Sequence, residues 1–279
     1  MKQCPETAQR AETVEFSGHV WVQELPTGGQ FRFTVAPSGF VTFATPDGSF
    51  DAAASVPMAF RRAAHHIETH LDRDALQTAT DTPGEITFCG LATRYEGVEY
   101  DWASVPPFVG TDVWSGRSET FLSPDAATGV FDRLGLPTLP AIEKEQPAAH
   151  ADLTRFEEPE GIPSSTWRDG RAAGVLIRDK AGHRAAAWSV EPSDSAADSQ
   201  SATALAAAYA TPDRIEQTVG AMSGDARSMT VAGIRDRLVA DVAREAYAEL
   251  CADGDFVVSA TAFESAVAER VQRYQSTRD

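Results

Sequence analysis

A change of hydrophobic period near residue 190 limits what this chain can fold into more than any other feature. Before it, apolar residues recur at every second position, as in strands with one buried face. After it they recur every three or four positions, as in helices. Residues 19–24 (HVWVQE) and 30–35 (QFRFTV) alternate in strand fashion, and residues 26–29 (PTGG) supply turn chemistry between them. Residues 39–43 (GFVTF) extend the pair into an expected three-stranded meander. Pro57 opens a helix, where its missing N–H costs nothing, with Phe60, Ala64, Ile67 and Leu71 as its apolar stripe. Strands return at 85–89, 108–114, 174–178 and 183–189, while 143–170 reads as a long irregular connection.

Residues 193–201 (SDSAADSQS) form a small-polar linker without apolar anchors. Beyond it, Val231, Ile234, Leu238, Val242, Ala246 and Leu250 keep helical spacing, with Thr230 as the N-cap. Phe263, Val267, Val271 and Tyr274 repeat the pattern, and Thr261 with Glu264 has the form of a capping box. The expected organisation is a polar leader at 1–15, a sheet-rich domain at 16–190, a linker at 191–201 and a helical domain at 202–279.

Charge narrows the setting. Asp plus Glu number 41 against 24 Lys plus Arg, a formal net charge of −17, and the only lysines are Lys2, Lys144 and Lys180. An acidic, lysine-poor surface suits a salt-rich cytoplasm, where screening is short-ranged; ordinary solubility through charge is the open alternative. No apolar run reaches the ~18 residues of a membrane span, and residues 1–15 lack a secretory apolar region. Cys4, Cys89 and Cys251 have no paired spacing, so neither disulfides nor zinc are indicated. The expectation is a soluble, cytoplasmic protein that does not meet a membrane.

Three other groups carry residue types suited to chemistry. His65, His66 and His70 with Glu68 (HHIETH) lack the H-E-x-x-H order of a zinc site, so a solvated helix flank is the favoured reading. Trp102, Trp114 and Trp167, with Tyr95 and Tyr100, are assigned to packing ahead of base stacking. Arg168, Arg171, Arg178 and Arg184 are the densest basic cluster and the candidate for meeting phosphates.

Six strings in order then resemble one family. They are residues 20–33 (VWVQELPTGGQFRF), 86–92 (ITFCGLA), 100–114, which ends PPFVGTDVW, 122–140 (LSPDAATGVFDRLGLPTLP), 162–178 (IPSSTWRDGRAAGVLIR) and 183–189 (HRAAAWS). Together they are similar to the ATP-dependent RNA ligases, a branch of the covalent nucleotidyltransferases, over residues 16–189. The resemblance implies an α+β fold, with an adenylation domain of antiparallel sheets and flanking helices followed by a small all-helical domain. It implies a pocket framed by Glu24, Leu25, Gly28, Arg32, Gly90, Asp112, Gly174 and Arg178.

The family's chemistry needs a lysine nucleophile that takes up AMP, and here the matching position is Leu25. The aspartate two residues on is Thr27, and the glutamates expected at the next motifs are Leu91 and Ala173. Ala185 and Ala186 stand where a lysine would meet the triphosphate, and Thr111 replaces the usual apolar residue before Asp112. None of the three lysines begins a K-x-x-G. Metal-assisted phosphoryl transfer rests on positioning and charge neutralisation, and these losses remove both. The resemblance therefore implies a ligase-like protein without catalytic residues and with no cofactor; ATP and Mg are implied only for residual activity. Its implied partners are RNA, an active ligase or another RNA-repair protein. A remodelled active site, and an interaction module using the acidic helical tail, remain the alternatives.

Overall fold

The computed structural model describes residues 1–190, 192, 201–222, 229–252 and 255–277. The expected linker at 191–201 therefore lies almost wholly outside the described residues. The chain forms two compact units. The first comprises Met1–Val56, Ala63–Thr93 and Val98–Pro192, and the second Pro57–Arg62, Arg94–Gly97 and Ser193–Asp279.

In chain order the elements of the first unit are β1 (His19–Leu25), β2 (Gly28–Val35), β3 (Val41–Ala44), β4 (Ser49–Phe50), α1 (Met58–His70, its first residues grouped with the second unit) and α2 (Arg73–Ala79). There follow β5 (Ile86–Thr93), β6 (Phe108–Ser115), β7 (Thr120–Phe121), α3 (Pro124–Arg133), β8 (Ala141–Pro147), β9 (Gly174–Asp179) and β10 (Arg184–Trp188). The strands make two antiparallel sheets, in orders β10-β9-β1-β8 and β4-β3-β2-β5-β6-β7.

The expected β1-β2-β3 meander does not form, because β1 and β2 lie in different sheets. Pro26 has no N–H for a ladder, and Thr27 is spent on Tyr100, whose hydroxyl accepts its backbone N–H at 2.9 Å. The chain thus leaves one sheet at Leu25 and enters the other at Gly28. The irregular connection expected at 143–170 is likewise shortened, since its first residues belong to β8, an edge strand half exposed along its length.

Alternation gives each sheet two faces. In the six-stranded sheet Phe31, Phe33, Phe88 and Phe108 share one face with Phe131 of α3, and none has measurable exposure. Phe33 stacks on Phe88 at 4.7 Å and Phe31 on Phe43 at 5.6 Å. Each such ring contributes roughly 1.5–3 kcal/mol by leaving water. The opposite face carries Gln30, Arg32, Cys89, Leu91 and Asp112, with Arg32, Cys89 and Asp112 aligned by register across three strands.

The four-stranded sheet divides the same way. Val20, Val22, Val175, Ile177, Ala185 and Ala187 pack with Phe156 and Ile162 on one side. Leu25, Leu176 and Ala186 pack with Tyr100, Val109, Leu139, Trp167 and Ala173 on the other.

The second unit consists of α4 (Ala202–Tyr209), α5 (Pro212–Ala221), α6 (Val231–Glu245), α7 (Tyr247–Leu250), the short pair β11 (Cys251–Ala252) and β12 (Asp255–Phe256), and α8 (Ala260–Ser276). Ile234, Leu238, Val242, Phe263, Val267 and Val271 are its core, as their spacing predicts. Thr230 caps α6 by accepting the Gly233 N–H at 3.1 Å. The capping box at Thr261 is displaced: Ser259 caps α8, and Glu264 pairs with Arg61 at 2.6 Å. No helix among the described residues is long and apolar enough to cross a membrane.

Candidate functional site

The inner faces of the two sheets of the first unit front a cleft, and a cavity of about 160 Å³ opens in it. Leu25 and Pro26 line it from the end of β1, Gly28 and Gln30 from β2, and Gly90 and Leu91 from β5. Thr111 and Asp112 of β6, Leu176 of β9, and Arg184, Ala186 and Trp188 of β10 complete the walls, together with Cys4, Pro5, Thr7 and Gln9. The volume falls below the ~300 Å³ at which small-ligand sites begin.

Leu25 is 7% exposed and packs in the cluster of Trp167, Leu176, Ala173 and Ala186, with Leu91 and Trp188 against it. Leu25, Leu91, Ala173 and Ala186, four of the positions where the family resemblance places lysine or carboxylate chemistry, thus pack together as an apolar wall, whereas Ala185 lies on the opposite face of its sheet. None of the three lysines lines the cavity. Lys2 lies over Trp114, Lys144 over Trp21, and Lys180 pairs with Glu145 at 2.9 Å.

Of the eight residues expected to frame the pocket, Leu25, Gly28, Gly90 and Asp112 line the cavity and the other four do not. Glu24 is the clearest departure. Adjacent strand residues point to opposite faces, so with Leu25 toward the cleft Glu24 points away from it. Its carboxylate accepts from Ser165 Oγ at 2.5 Å and from the Thr166 N–H at 2.8 Å, which fixes the loop before β9. Arg32 faces the cleft but donates to the Thr45 carbonyl at 2.8 Å and to Gln3. Gly174 pairs with Leu25, and a Cβ there would meet the Trp188 ring at 2.6 Å; one at Gly90 would meet the Val109 carbonyl at 2.4 Å. Close packing alone therefore requires these two glycines.

Arg178 and Arg184 reach from the four-stranded sheet to Asp112 on the other. Arg184 grips the carboxylate with two bonds, at 2.6 and 3.0 Å, and Arg178 adds one at 3.2 Å. A bulge between Cys89 and Gly90 shifts the register against β6, and the Thr111 carbonyl there also accepts from Arg178 at 2.5 Å. Asp112 and Arg178 are each 3% exposed. Burial works against the charge on Asp112, but the Arg184 and Arg178 guanidiniums outweigh it and hold the carboxyl below the usual range. Burial in turn lowers Arg178 to about 10, with Asp112 opposing.

This network bears on the metal-bound ATP that the family chemistry requires. Among the described residues Asp112 is the only carboxylate lining the cavity, and both its oxygens are taken by arginines. Among the described residues no group of three or more His, Cys, Asp and Glu is placed to hold a metal ion. The lining does not fit metal-bound ATP.

The basic cluster expected at 168–184 is divided by the fold. Arg178 is buried on Asp112, Arg184 pairs with the same carboxylate from the cavity wall, and Arg171 donates to the carbonyls of Glu160 and Ile162. In the histidine group, the rings of His66 and His70 stack at 4.2 Å on α1. Sequence reasoning missed the four lining residues at 4–9, whose polar string has no period to read.

No protein-family model matches this chain. No curated protein matches it either. Solved structures do. Two forms of an archaeal ATP-dependent RNA ligase are similar at 16% and 17% identity, each with a TM-score of 0.51, covering 90% of this chain and 64% of that one. A lysine-to-methionine variant of a Naegleria gruberi RNA ligase, solved with AMP and Mn, is similar at 11% identity and a TM-score of 0.50, covering 67% of this chain and 56% of that one. The fold is that of the ATP-dependent RNA ligases, a nucleotidyltransferase-like arrangement of helices and antiparallel sheets. This chain spans somewhat under two thirds of the length of the archaeal ligase.

Proposed function

We propose that the chain is a non-catalytic RNA-ligase homologue of the cytoplasm, whose role is to bind RNA or an active ligase and not to join ends. The observation that carries this reading is the apolar wall at Leu25, with all three lysines engaged away from the cavity. Without an amine at that wall no phosphoramidate to AMP can form, and the later transfer of AMP to an RNA 5′-phosphate has no donor. The ion network on Asp112 supports the same reading, because its carboxylate is committed to holding the sheets together and not to a metal.

The purified chain, given ATP, Mg²⁺ and 5′-phosphorylated RNA, is expected to yield no joined product. Joining that is abolished by a single substitution in the cleft would favour a remodelled active site and overturn the proposal.

A further inference from the structure

Residues 2–9 cross the cleft from one sheet to the other through specific contacts. The Lys2 N–H donates to the Thr87 hydroxyl at 3.2 Å, and its ammonium lies 4.3 Å from the Trp114 ring centroid. The Gln3 side-chain oxygen accepts from Arg32, and the Cys4 thiol meets Cys89. Pro5, Thr7 and Gln9 then line the cavity. At Ala8 the segment joins the outer edge of β10 in parallel, donating its N–H to the Arg184 carbonyl at 3.3 Å and accepting the Ala186 N–H at 2.8 Å.

Strand addition to an open sheet edge is a common mode of peptide capture, with backbone pairing giving affinity and side-chain contacts giving register. Here the backbone pairs at Ala8, and Lys2, Gln3 and Cys4 set the register. The burial is lopsided. None of residues 1–10 is fully buried, whereas Arg32, Thr87 and Cys89 beneath them are. A segment that buries little of itself opens at low free energy, and what it covers is then exposed.

We propose that the cleft is a peptide groove occupied by the chain's own residues 2–9, held on the β10 edge and displaceable, so that a ligand of nucleotide size enters only after this segment leaves. The inference does not rest on the non-catalytic reading. An adduct formed with ATP would leave it standing, and its test involves no nucleotide.

The test uses the full chain carrying Ala8→Pro, which removes the N–H given to Arg184. Two rates are read: hydrogen exchange at the Ala186 amide and maleimide labelling of Cys89. The contact with Cys4, and then burial, raise the Cys89 pKa and keep its thiol protonated, so release of the segment speeds labelling. Both rates are expected to rise about tenfold or more, as for local opening, while labelling of Cys251 in the second unit stays constant. A synthetic peptide of residues 1–12 is expected to restore both rates.

Wild-type rates in a natively folded Ala8→Pro chain, or no restoration by the peptide, would overturn the proposal. If Cys251 labelling also rises, the variant has unfolded, and Lys2→Ala with Gln3→Ala decides: faster Cys89 labelling supports the groove, an unchanged rate refutes it. Rates that depend on protein concentration would assign the segment to a second copy and overturn the own-chain assignment.

Discussion

Replacing Asp112 by asparagine keeps the shape of the side chain and removes the charge that neutralises two arginines. Arg178 is 3% exposed and, among the described residues, its Nη1 pairs with no carboxylate other than Asp112, while the Arg184 side chain is 9% exposed. The Arg178 guanidinium is buried away from water, while Arg184 borders the cavity. Removing one partner of a buried ion pair costs ~3–5 kcal/mol, because the charge left behind stays desolvated. For a unit of roughly 150–250 residues, each kcal/mol corresponds to ~2–4 °C, so the melting temperature should fall by about 6–20 °C. Urea unfolding should show a lower midpoint with an unchanged slope.

The triple variant Asp112→Leu, Arg178→Met and Arg184→Leu should recover to within about 1 kcal/mol of the parent, since apolar replacement removes the desolvation cost along with the attraction. The sign of the pH dependence follows from the lowered Asp112 pKa. Its contribution is fully present above the unfolded value of about 3.9 and is lost as pH falls through the folded value. The parent should therefore weaken below about pH 4, and the asparagine variant should lose that part of the acid transition. A shift under about 2 °C in Asp112→Asn, with the acid transition retained, would refute the reasoning.

Two further outcomes follow from the same geometry. Glu24→Ala leaves the Ser165 hydroxyl and the Thr166 N–H without their acceptor, at about 1–3 kcal/mol, and should speed tryptic cleavage after Arg168 and Arg171 while sparing β9. Cleavage at the parent rate would show that Glu24 does not hold this loop. Leu25→Lys places an ammonium in an apolar wall, where desolvation depresses a buried lysine by ~3–5 pKa units, or about 4–7 kcal/mol. It should lower stability by at least ~3 kcal/mol in urea unfolding and still take up no AMP, because Leu91, Ala173 and Ala186 supply no charge for the phosphates. A stable variant that becomes adenylated would contradict this.

Much of the fold was legible, because period is a local property. The strands at 19–25, 86–93, 108–115 and 174–179 and the helical stripes of α6 and α8 follow directly from the spacing of Val, Phe, Ile and Leu. Pairing was less legible. Pro26 and Thr27 read as a hairpin turn, but Tyr100, seventy-three residues on, takes the Thr27 N–H and the chain crosses between sheets. The strand β8 reads as a loop because an edge strand can keep Lys144 and Glu145 in solvent. Within the site, the vacancy at Leu25 was visible, and strand alternation alone would have turned Glu24 away from it. The contacts of residues 2–9 were not visible, because their register comes from the β10 edge, Arg32 and Thr87 and not from any period of their own.

The central claim of the proposed function is that this cleft, with Leu25 at its wall and no lysine lining it, takes up no AMP. The full-length protein, incubated with α-labelled ATP and Mg²⁺ or Mn²⁺ and then denatured, is expected to retain no label. A covalent protein–AMP adduct, mapped to a lysine or to any other residue of the cleft, would contradict the account.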